Sequence, residues 1–152
     1  MENKAEFYSL LTRQAVALVE GERNLIANLA NVSALLFQAL PDINWSGFYL
    51  DDGEMLVLGP FQGKPACVRI PYEKGVCGSA FTHKNVVRVE DVHQFEGHIA
   101  CDAASNSEIV LPLIVKGKIV GVLDIDSPNL ARFDQDDETG LTLLVNELQK
   151  HL

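Results

Sequence analysis

The chain has 152 residues, a formal charge of −9 at pH 7, an apolar fraction of 47% and a charged fraction of 22%. This length fits a single domain over residues 1–152 with a substantial hydrophobic core. No apolar run approaches the roughly 20 residues that a membrane helix needs, and the acidic charge disfavours nucleic acid and anionic lipid as partners.

Two helices are predicted at the start of the chain. Apolar residues recur at helical spacing from Ala5 to Val19, and a second helical run extends from Leu25 to Leu40, before Pro41. We expect the two helices to pack together. The pair offers an apolar surface that can support a homodimer.

Strand patterns follow the helices. Trp45 to Leu50 and Met55 to Leu58 flank Asp51-Asp52-Gly53-Glu54, which is the signature of a hairpin. A third apolar run, Ala66 to Ile70, precedes Pro71 and predicts another strand. The sheet is therefore expected to begin with antiparallel neighbours.

The middle of the chain combines short elements with a long loop. Gly75 to Phe81 predicts a tight turn into a short helix, and Val86 to Val89 predicts a brief strand. The stretch from Glu90 to Ser107 has no clear period. Long loops often carry function, so residues of the site are expected there.

The last third of the chain predicts a second hairpin and a final helix. Ile109 to Val115 and Ile119 to Asp126 flank a short turn, and an amphipathic helix begins near Asp134. Helices at both ends around hairpin-linked strands indicate an α+β fold. Its central antiparallel sheet is flanked by N-terminal and C-terminal helices.

Two acids share one face of the last predicted strand. Asp124 and Asp126 point the same way as Val122, because side chains alternate along a strand. If this face lines a pocket, repulsion and desolvation raise the pKa of at least one acid. Glu108, just before the neighbouring strand, can join them. The alternative is a solvated face or the start of a turn at Ser127, and the spacing does not decide.

The chain contains three cysteines. Its first residues are acidic and no apolar secretory segment follows them, so we expect a cytoplasmic protein with reduced thiols. An odd number of cysteines leaves buried, metal-binding or catalytic thiols as candidates. Cys101 lies in the long loop, where a protonated His98 would favour its thiolate and Asp102 and the acid cluster would oppose it. An inert thiol is the alternative.

The other two thiols lie in predicted secondary structure. Cys67 is on a predicted strand, and Cys77 is at a predicted helix start, where the helix dipole can lower its pKa. Simple burial of either thiol is the alternative. A metal site that joins all three cysteines to His93 or His98 lacks closely spaced ligand pairs, so no metal is expected.

Six short segments of the chain, taken in order, carry a resemblance to a known family. They are W-S-G-F-Y (Trp45 to Tyr49), G-P-F-Q-G-K-P-A-C (Gly59 to Cys67), G-V-C-G (Gly75 to Gly78), G-H-I-A-C-D (Gly97 to Asp102), S-E-I-V (Ser107 to Val110) and D-I-D-S (Asp124 to Ser127). Together they resemble the free methionine-R-sulfoxide reductases, single-domain enzymes with the GAF fold. The resemblance implies reduction of free L-methionine-R-sulfoxide to L-methionine, with thioredoxin as electron donor and without a cofactor.

The resemblance also implies roles for the three thiols. Cys101 would attack the sulfoxide sulfur, which releases methionine and leaves a sulfenic acid on Cys101. Cys67 would condense with it to a disulfide, and Cys77 would be a secondary resolving thiol. Thioredoxin would then reduce the disulfide by thiol exchange.

Five further residues receive roles on the same basis. Asp126, assisted by Glu108, would be the acid on the oxygen side, and Asp124 would pair with the substrate α-ammonium. Trp45 and Tyr49 would enclose the sulfoxide methyl group. An ammonium site favours the free amino acid, because a residue inside a peptide has no such charge.

Two other functions compete with the reductase. One is a GAF module that senses a small ligand without catalysis. The other is a redox sensor in which Cys67 and Cys101 form a disulfide under peroxide, with no substrate.

Overall fold

The computed structural model describes residues 3–98 and 104–152. Over these ranges the chain forms four α-helices, a short 3-10 helix and six strands. The helices are α1 (Lys4–Val19), α2 (Leu25–Ala39), α3 (Gly75–His83) and α4 (Gln135–Gln149), and the 3-10 helix is Val92–Gln94. The strands are β1 (Trp45–Asp51), β2 (Leu56–Gly63), β3 (Arg69–Ile70), β4 (Val87–Val89), β5 (Ser107–Val115) and β6 (Lys118–Ser127).

The strands form one sheet in the order β3-β2-β1-β6-β5-β4. Every neighbouring pair is antiparallel. The predicted α+β fold with an antiparallel sheet is therefore confirmed. Among the described helices, none is long and apolar enough to cross a membrane.

The two faces of the sheet carry different layers. Phe48, Leu123 and Ile125 join the main hydrophobic core, which α1, α2 and α4 complete. Tyr49 and Val122, whose side chains alternate with these, face α3 instead. The acids that share the parity of Val122 therefore point toward α3.

Both predicted hairpins are present. The turn between β5 and β6 consists of Lys116 and Gly117, with φ of 52° and 80°. Two consecutive residues in the left-handed region are typical of the tight turn whose twist matches antiparallel strands. This turn sets the register at the start of the ladder, and an irregularity between Leu113 and Ile114 shifts it by one residue, so that Glu108 faces Asp126.

The strand predicted from Ala66 to Ile70 is mostly absent, because only Arg69–Ile70 pairs with β2. The placement of Cys67 on a strand was wrong. Its carbonyl oxygen accepts a hydrogen bond from the Tyr49 hydroxyl at 2.9 Å. A side chain on the sheet face thus satisfies this backbone group, and Cys67 lies in the loop before β3.

Helices α1 and α2 pack together as predicted, and α1 packs more extensively against α4. The Tyr8 hydroxyl donates a hydrogen bond to the buried Asp137 carboxylate at 2.6 Å. The Tyr8 ring lies directly on Gly140, where a Cβ would overlap it. Helix α4 begins with a capping box between Asp134 and Asp137, as its predicted start near Asp134 required.

Candidate active site

A cavity of about 50 Å³ lies between the α3 face of the sheet and α3 itself. It is lined by Trp45, Tyr49, Ala66, Ile70, Lys74, Gly75, Val76, Cys77, His98, Ser105, Glu108, Asp124 and Asp126. Six of the predicted site residues are in this list. Cys67 is adjacent to the lining residue Ala66, and Cys101 lies outside the described residues. The cavity is small, so a ligand of amino-acid size enters only if lining side chains move.

Three carboxylates meet at the junction of β5 and β6. Glu108 pairs with Asp126 across the ladder, and Asp124 lies two residues away on the same face. Glu108, Asp124 and Asp126 are only 8%, 5% and 9% exposed. The alternative of a solvated face is therefore excluded, and the strand parity correctly predicted a shared buried face.

Asp124 is the acid for which this environment has the clearest consequence. Burial, followed by the charges of Asp126 and Glu108, raises the pKa of Asp124 well above its ordinary value. Its Oδ1 has no hydrogen-bond partner among the described residues. The expectation that at least one acid has a raised pKa is confirmed, and Asp124 keeps its proton where ordinary aspartates are ionised.

Cys77 belongs to the same cluster. Its thiol is 4% exposed, and its Sγ lies 4.0 Å from Oε2 of Glu108. Burial, followed by the charges of Asp124 and Glu108, raises the pKa of Cys77 well above its ordinary value. The expectation that the helix dipole lowers this pKa was wrong, because the dipole contributes at most about 2 kcal/mol and desolvation beside carboxylates opposes it.

The other two cysteines are not free thiols that the structure describes. Cys67 is disulfide-bonded, whereas Cys77 is a free thiol. Cys101 lies outside the described residues, so its place relative to the acids stays a prediction.

An aromatic wall closes the cavity on the side of β1 and β2. The Trp45 indole stacks on Tyr49 at 5.9 Å between centroids and on Phe61 at 5.1 Å. Trp45 Nε1 donates a hydrogen bond to the Lys64 carbonyl at 3.1 Å. Gly47 makes room for this stack, since a Cβ there would overlap Phe61 and the indole.

The Tyr49 hydroxyl donates a hydrogen bond to the Cys67 carbonyl oxygen at 2.9 Å. Burial, followed by the charge of Asp124, raises the pKa of Tyr49. Tyr49 therefore stays protonated, holds the loop that carries Cys67 and presents its ring to the cavity.

Sequence reasoning missed several lining residues, of which Lys74 and Ser105 are polar. Lys74 is the N-cap residue of α3, and its position directly before G-V-C-G was the available signal. Ser105 accepts a hydrogen bond from Asn44 at 3.2 Å. His98, which was considered only as a neighbour of Cys101, lines the cavity as well.

One group of described residues has the spacing of a metal site. Atoms of Cys77, Glu108 and Asp124 lie within 4.8 Å of one another. This set differs from the cysteine and histidine set considered from the sequence. A metal ion would have to displace the protons that Asp124 and Cys77 retain, and the expectation of no metal stays a prediction.

Comparison with known proteins identifies the class of this fold and site. The model of the GAF domain family matches residues 26–150. The free methionine-R-sulfoxide reductase of Escherichia coli strain K12 is 62% identical over 150 residues, which cover 99% of this chain and 91% of that protein. The reductase of the same name from Saccharomyces cerevisiae is 42% identical over 156 residues, covering 97% of this chain and 87% of that protein.

A solved structure extends the similarity to three dimensions. The free methionine-R-sulfoxide reductase of Neisseria meningitidis, in complex with its substrate, superposes with a TM-score of 0.93 at 44% identity. The alignment covers 99% of this chain and 91% of that chain. The protein is a GAF-domain protein, and within that class it belongs to the free methionine-R-sulfoxide reductase family.

Proposed function

We propose that this protein reduces free L-methionine-R-sulfoxide to L-methionine. The observation that carries the proposal is the buried cluster of Glu108, Asp124 and Asp126, which faces an aromatic wall across one cavity. Asp124, whose pKa is raised, keeps a proton within this cluster, which suits a reaction in which the sulfoxide oxygen must be protonated before it leaves. The identity to the E. coli reductase supports the same substrate.

The redox chemistry belongs to the thiols. Cys101 attacks the sulfoxide sulfur, which forms a transient S–S bond while the S–O bond of the protonated sulfoxide breaks. The oxygen then bonds to the Cys101 sulfur as the S–S bond breaks, which releases methionine and leaves a sulfenic acid on Cys101. Cys67 then attacks this sulfur, forming a disulfide and releasing water. Thioredoxin reduces the disulfide, and Cys77 serves as a secondary resolving thiol. The disulfide-bonded state of Cys67 supports its place in this sequence.

The acids divide the remaining tasks. Asp126, assisted by Glu108 across the β5–β6 ladder, protonates the sulfoxide oxygen. Asp124 pairs with the substrate α-ammonium, and this approaching charge lowers the raised pKa of Asp124. The proton that Asp124 releases is then available to Asp126 and Glu108. Substrate binding and activation of the acid are thereby linked.

The substrate methyl group lies against the aromatic wall. Trp45 and Tyr49 provide ring surfaces on which sulfur and an attached methyl pack favourably. Their mutual stacking fixes the wall before the substrate arrives.

The test is NADPH consumption in an assay coupled to thioredoxin and thioredoxin reductase. Free methionine-R-sulfoxide is compared with its S epimer and with the N-acetylated R-sulfoxide. We expect turnover of the free R epimer alone, and loss of this turnover in Cys101→Ser. Turnover of all three compounds would remove the role of the ammonium site, and turnover of none would reject the reductase.

A redox sensor is the second candidate, because a disulfide at Cys67 is also what a peroxide sensor would form. A sensor forms this disulfide with peroxide and turns over no sulfoxide. Mass spectrometry of peroxide-treated protein, together with the coupled assay, separates the two functions.

We further propose that the protein is a cytoplasmic homodimer. Leu10 and Leu18 of α1 are 51% and 41% exposed, and Leu143 of α4 is 46% exposed. These side chains lie on the helical layer, away from the cavity. A second copy that covers them would leave the candidate active site accessible.

A further inference from the structure

We propose that residues 64–68, which we call the Cys67 loop, are the surface on which thioredoxin docks, and that the thioredoxin thiolate attacks the Cys67 sulfur. The inference rests on the proposed function, in which the disulfide of Cys67 must be reduced after each turnover. It assigns a surface to that reduction and names the sulfur that is attacked.

The Cys67 loop carries an apolar run that the fold leaves uncovered. Its apolar residues are consecutive and none of them is buried: Pro65, Ala66, Cys67 and Val68. Val68 and Leu130 are each 61% exposed, the highest value for a large apolar side chain among the described residues. The loop leads into β3, at the edge of the described sheet. A run of four apolar residues that the core does not bury is typical of a surface that binds a partner.

The sheet holds the backbone of this loop in place. The Cys67 carbonyl oxygen accepts the hydrogen bond of the Tyr49 hydroxyl at 2.9 Å. The next carbonyl, that of Val68, accepts a hydrogen bond from the Leu58 amide at 2.8 Å. The polar groups of the loop are therefore paired with the sheet while the Val68 side chain lies in solvent. A partner meets a fixed surface, so little conformational entropy is lost when it docks.

The charge of this part of the chain suits the approach of a thiolate. Residues 55–72 contain no aspartate or glutamate, although the whole chain has a formal charge of −9. Lys64, at the start of the loop, is exposed, and Arg69, directly after it, is 57% exposed and pairs with Asp52. The attacking thiolate of a thiol exchange is an anion. An apolar surface with cations at its margins is therefore complementary to a protein that presents a reactive thiolate.

The reduction takes two exchange steps. The first thioredoxin thiolate attacks the sulfur of Cys67, which is disulfide-bonded and half-buried. The cysteine that was bonded to Cys67 leaves as a thiolate, and a mixed disulfide joins the two proteins. The second thioredoxin thiol loses its proton and attacks the thioredoxin sulfur of this bond, so that Cys67 leaves as a thiolate. Thioredoxin ends as a disulfide, and the reductase has gained two electrons and takes up two protons.

The experiment compares wild type with Val68→Glu under two reductants. Thioredoxin with thioredoxin reductase and NADPH requires docking, whereas dithiothreitol supports the same turnover without a docked protein. Leu130→Glu is the matched control, because Leu130 is equally exposed and lies outside the Cys67 loop. Val68→Leu keeps an apolar side chain at the proposed surface and tests rescue.

We expect Val68→Glu to lower kcat/KM for thioredoxin roughly tenfold, mainly through KM, because a charge takes the place of an apolar contact in the interface. With dithiothreitol, kcat and the KM for the sulfoxide should match wild type. Leu130→Glu and Val68→Leu should match wild type with both reductants.

The attacked sulfur is identified by trapping the mixed disulfide. Protein oxidised by one round of sulfoxide reduction is mixed with thioredoxin in which serine replaces the second active-site cysteine. This thioredoxin cannot complete the second exchange, so the mixed disulfide persists. Mass spectrometry of the proteolysed complex should find thioredoxin joined to Cys67.

Four outcomes overturn the proposal. They are equal losses with both reductants in Val68→Glu, no loss with either, thioredoxin joined to Cys77 or Cys101, and a wild type that turns over with dithiothreitol but not with thioredoxin. In each case the reductase itself still stands. A wild type that reduces the sulfoxide with neither reductant instead rejects the proposed function.

Discussion

Asp126 is the residue on which the proposed proton transfer depends. It lies beside Glu108 on the neighbouring strand and is 9% exposed at the cavity. We expect Asp126→Asn to lower kcat about 100-fold, as for loss of a general acid. The free energy of unfolding should change by less than about 1 kcal/mol, because removing one of three clustered carboxylates relieves repulsion.

Steady-state kinetics and thermal unfolding measure the two effects of this substitution. Asp136→Asn is the matched control, since Asp136 is an exposed aspartate in the first turn of α4. It should change neither quantity. A normal kcat in Asp126→Asn would remove this residue from the chemistry.

Asp124 makes a prediction about stability and pH. Its pKa is raised in the folded protein, so the folded protein binds this proton more tightly than the unfolded chain does. The resulting stabilisation is fully present below the unfolded pKa, near 3.9, and is lost as pH rises through the folded pKa. Asp124→Asn cannot titrate and avoids this loss.

The thermal midpoint of Asp124→Asn, relative to wild type, should therefore increase from pH 4 to pH 9. The groups that face Asp124 are Asp126, Glu108 and Cys77. Removing the Asp124 charge also lowers the raised pKa of Cys77, which acts in the same direction. A difference between the two proteins that does not vary with pH would contradict the buried titration of Asp124.

Strand β1 positions the aromatic wall through Gly47. This residue pairs with Phe61 of β2 on one side and with Asp124 of β6 on the other. An added Cβ would overlap Phe61 and the Trp45 indole. We expect Gly47→Ala to cost about 1–3 kcal/mol of stability through overpacking and to lower kcat/KM by displacing Trp45.

The chain has a single tryptophan, so its fluorescence reports on the wall directly. The emission spectrum of Gly47→Ala should shift from that of wild type. Gly21→Ala is the control, because nothing lies within 4 Å of a Cβ at that position. Unchanged emission and kinetics in Gly47→Ala would mean that β1 tolerates the side chain.

Turn residues and the alternation of side chains along a strand predicted the hairpins and the shared face of the acids. The turn residues around Gly53 and Gly117 predicted both hairpins, and strand parity placed Asp124 and Asp126 on one face. The strand at Cys67 failed because a distant hydroxyl, that of Tyr49, takes its carbonyl. Lys74 was missed for a related reason, since only the packing of α3 against the sheet brings it to the acids.

At the scale of the whole molecule, the sheet separates the candidate active site from the main hydrophobic core. Its α3 face holds the cavity, and its opposite face holds the main core under α1, α2 and α4. Substitutions on the outer surface of the helical layer should therefore affect assembly without reaching the cavity. The proposed homodimer gives this separation a direct test.

Leu18 lies on that outer surface and is 41% exposed. If a second copy covers this side chain, Leu18→Glu places an unpaired charge in the interface. A symmetric interface contains two such charges, one from each copy, and both destabilise the dimer. Sedimentation velocity should then show a wild-type dimer and a Leu18→Glu monomer. Leu130→Glu, on an exposed leucine outside α1 and α4, should remain dimeric. Turnover of the monomer should stay close to wild type because the cavity lies on the other face of the sheet, and a monomeric wild type would reject the interface.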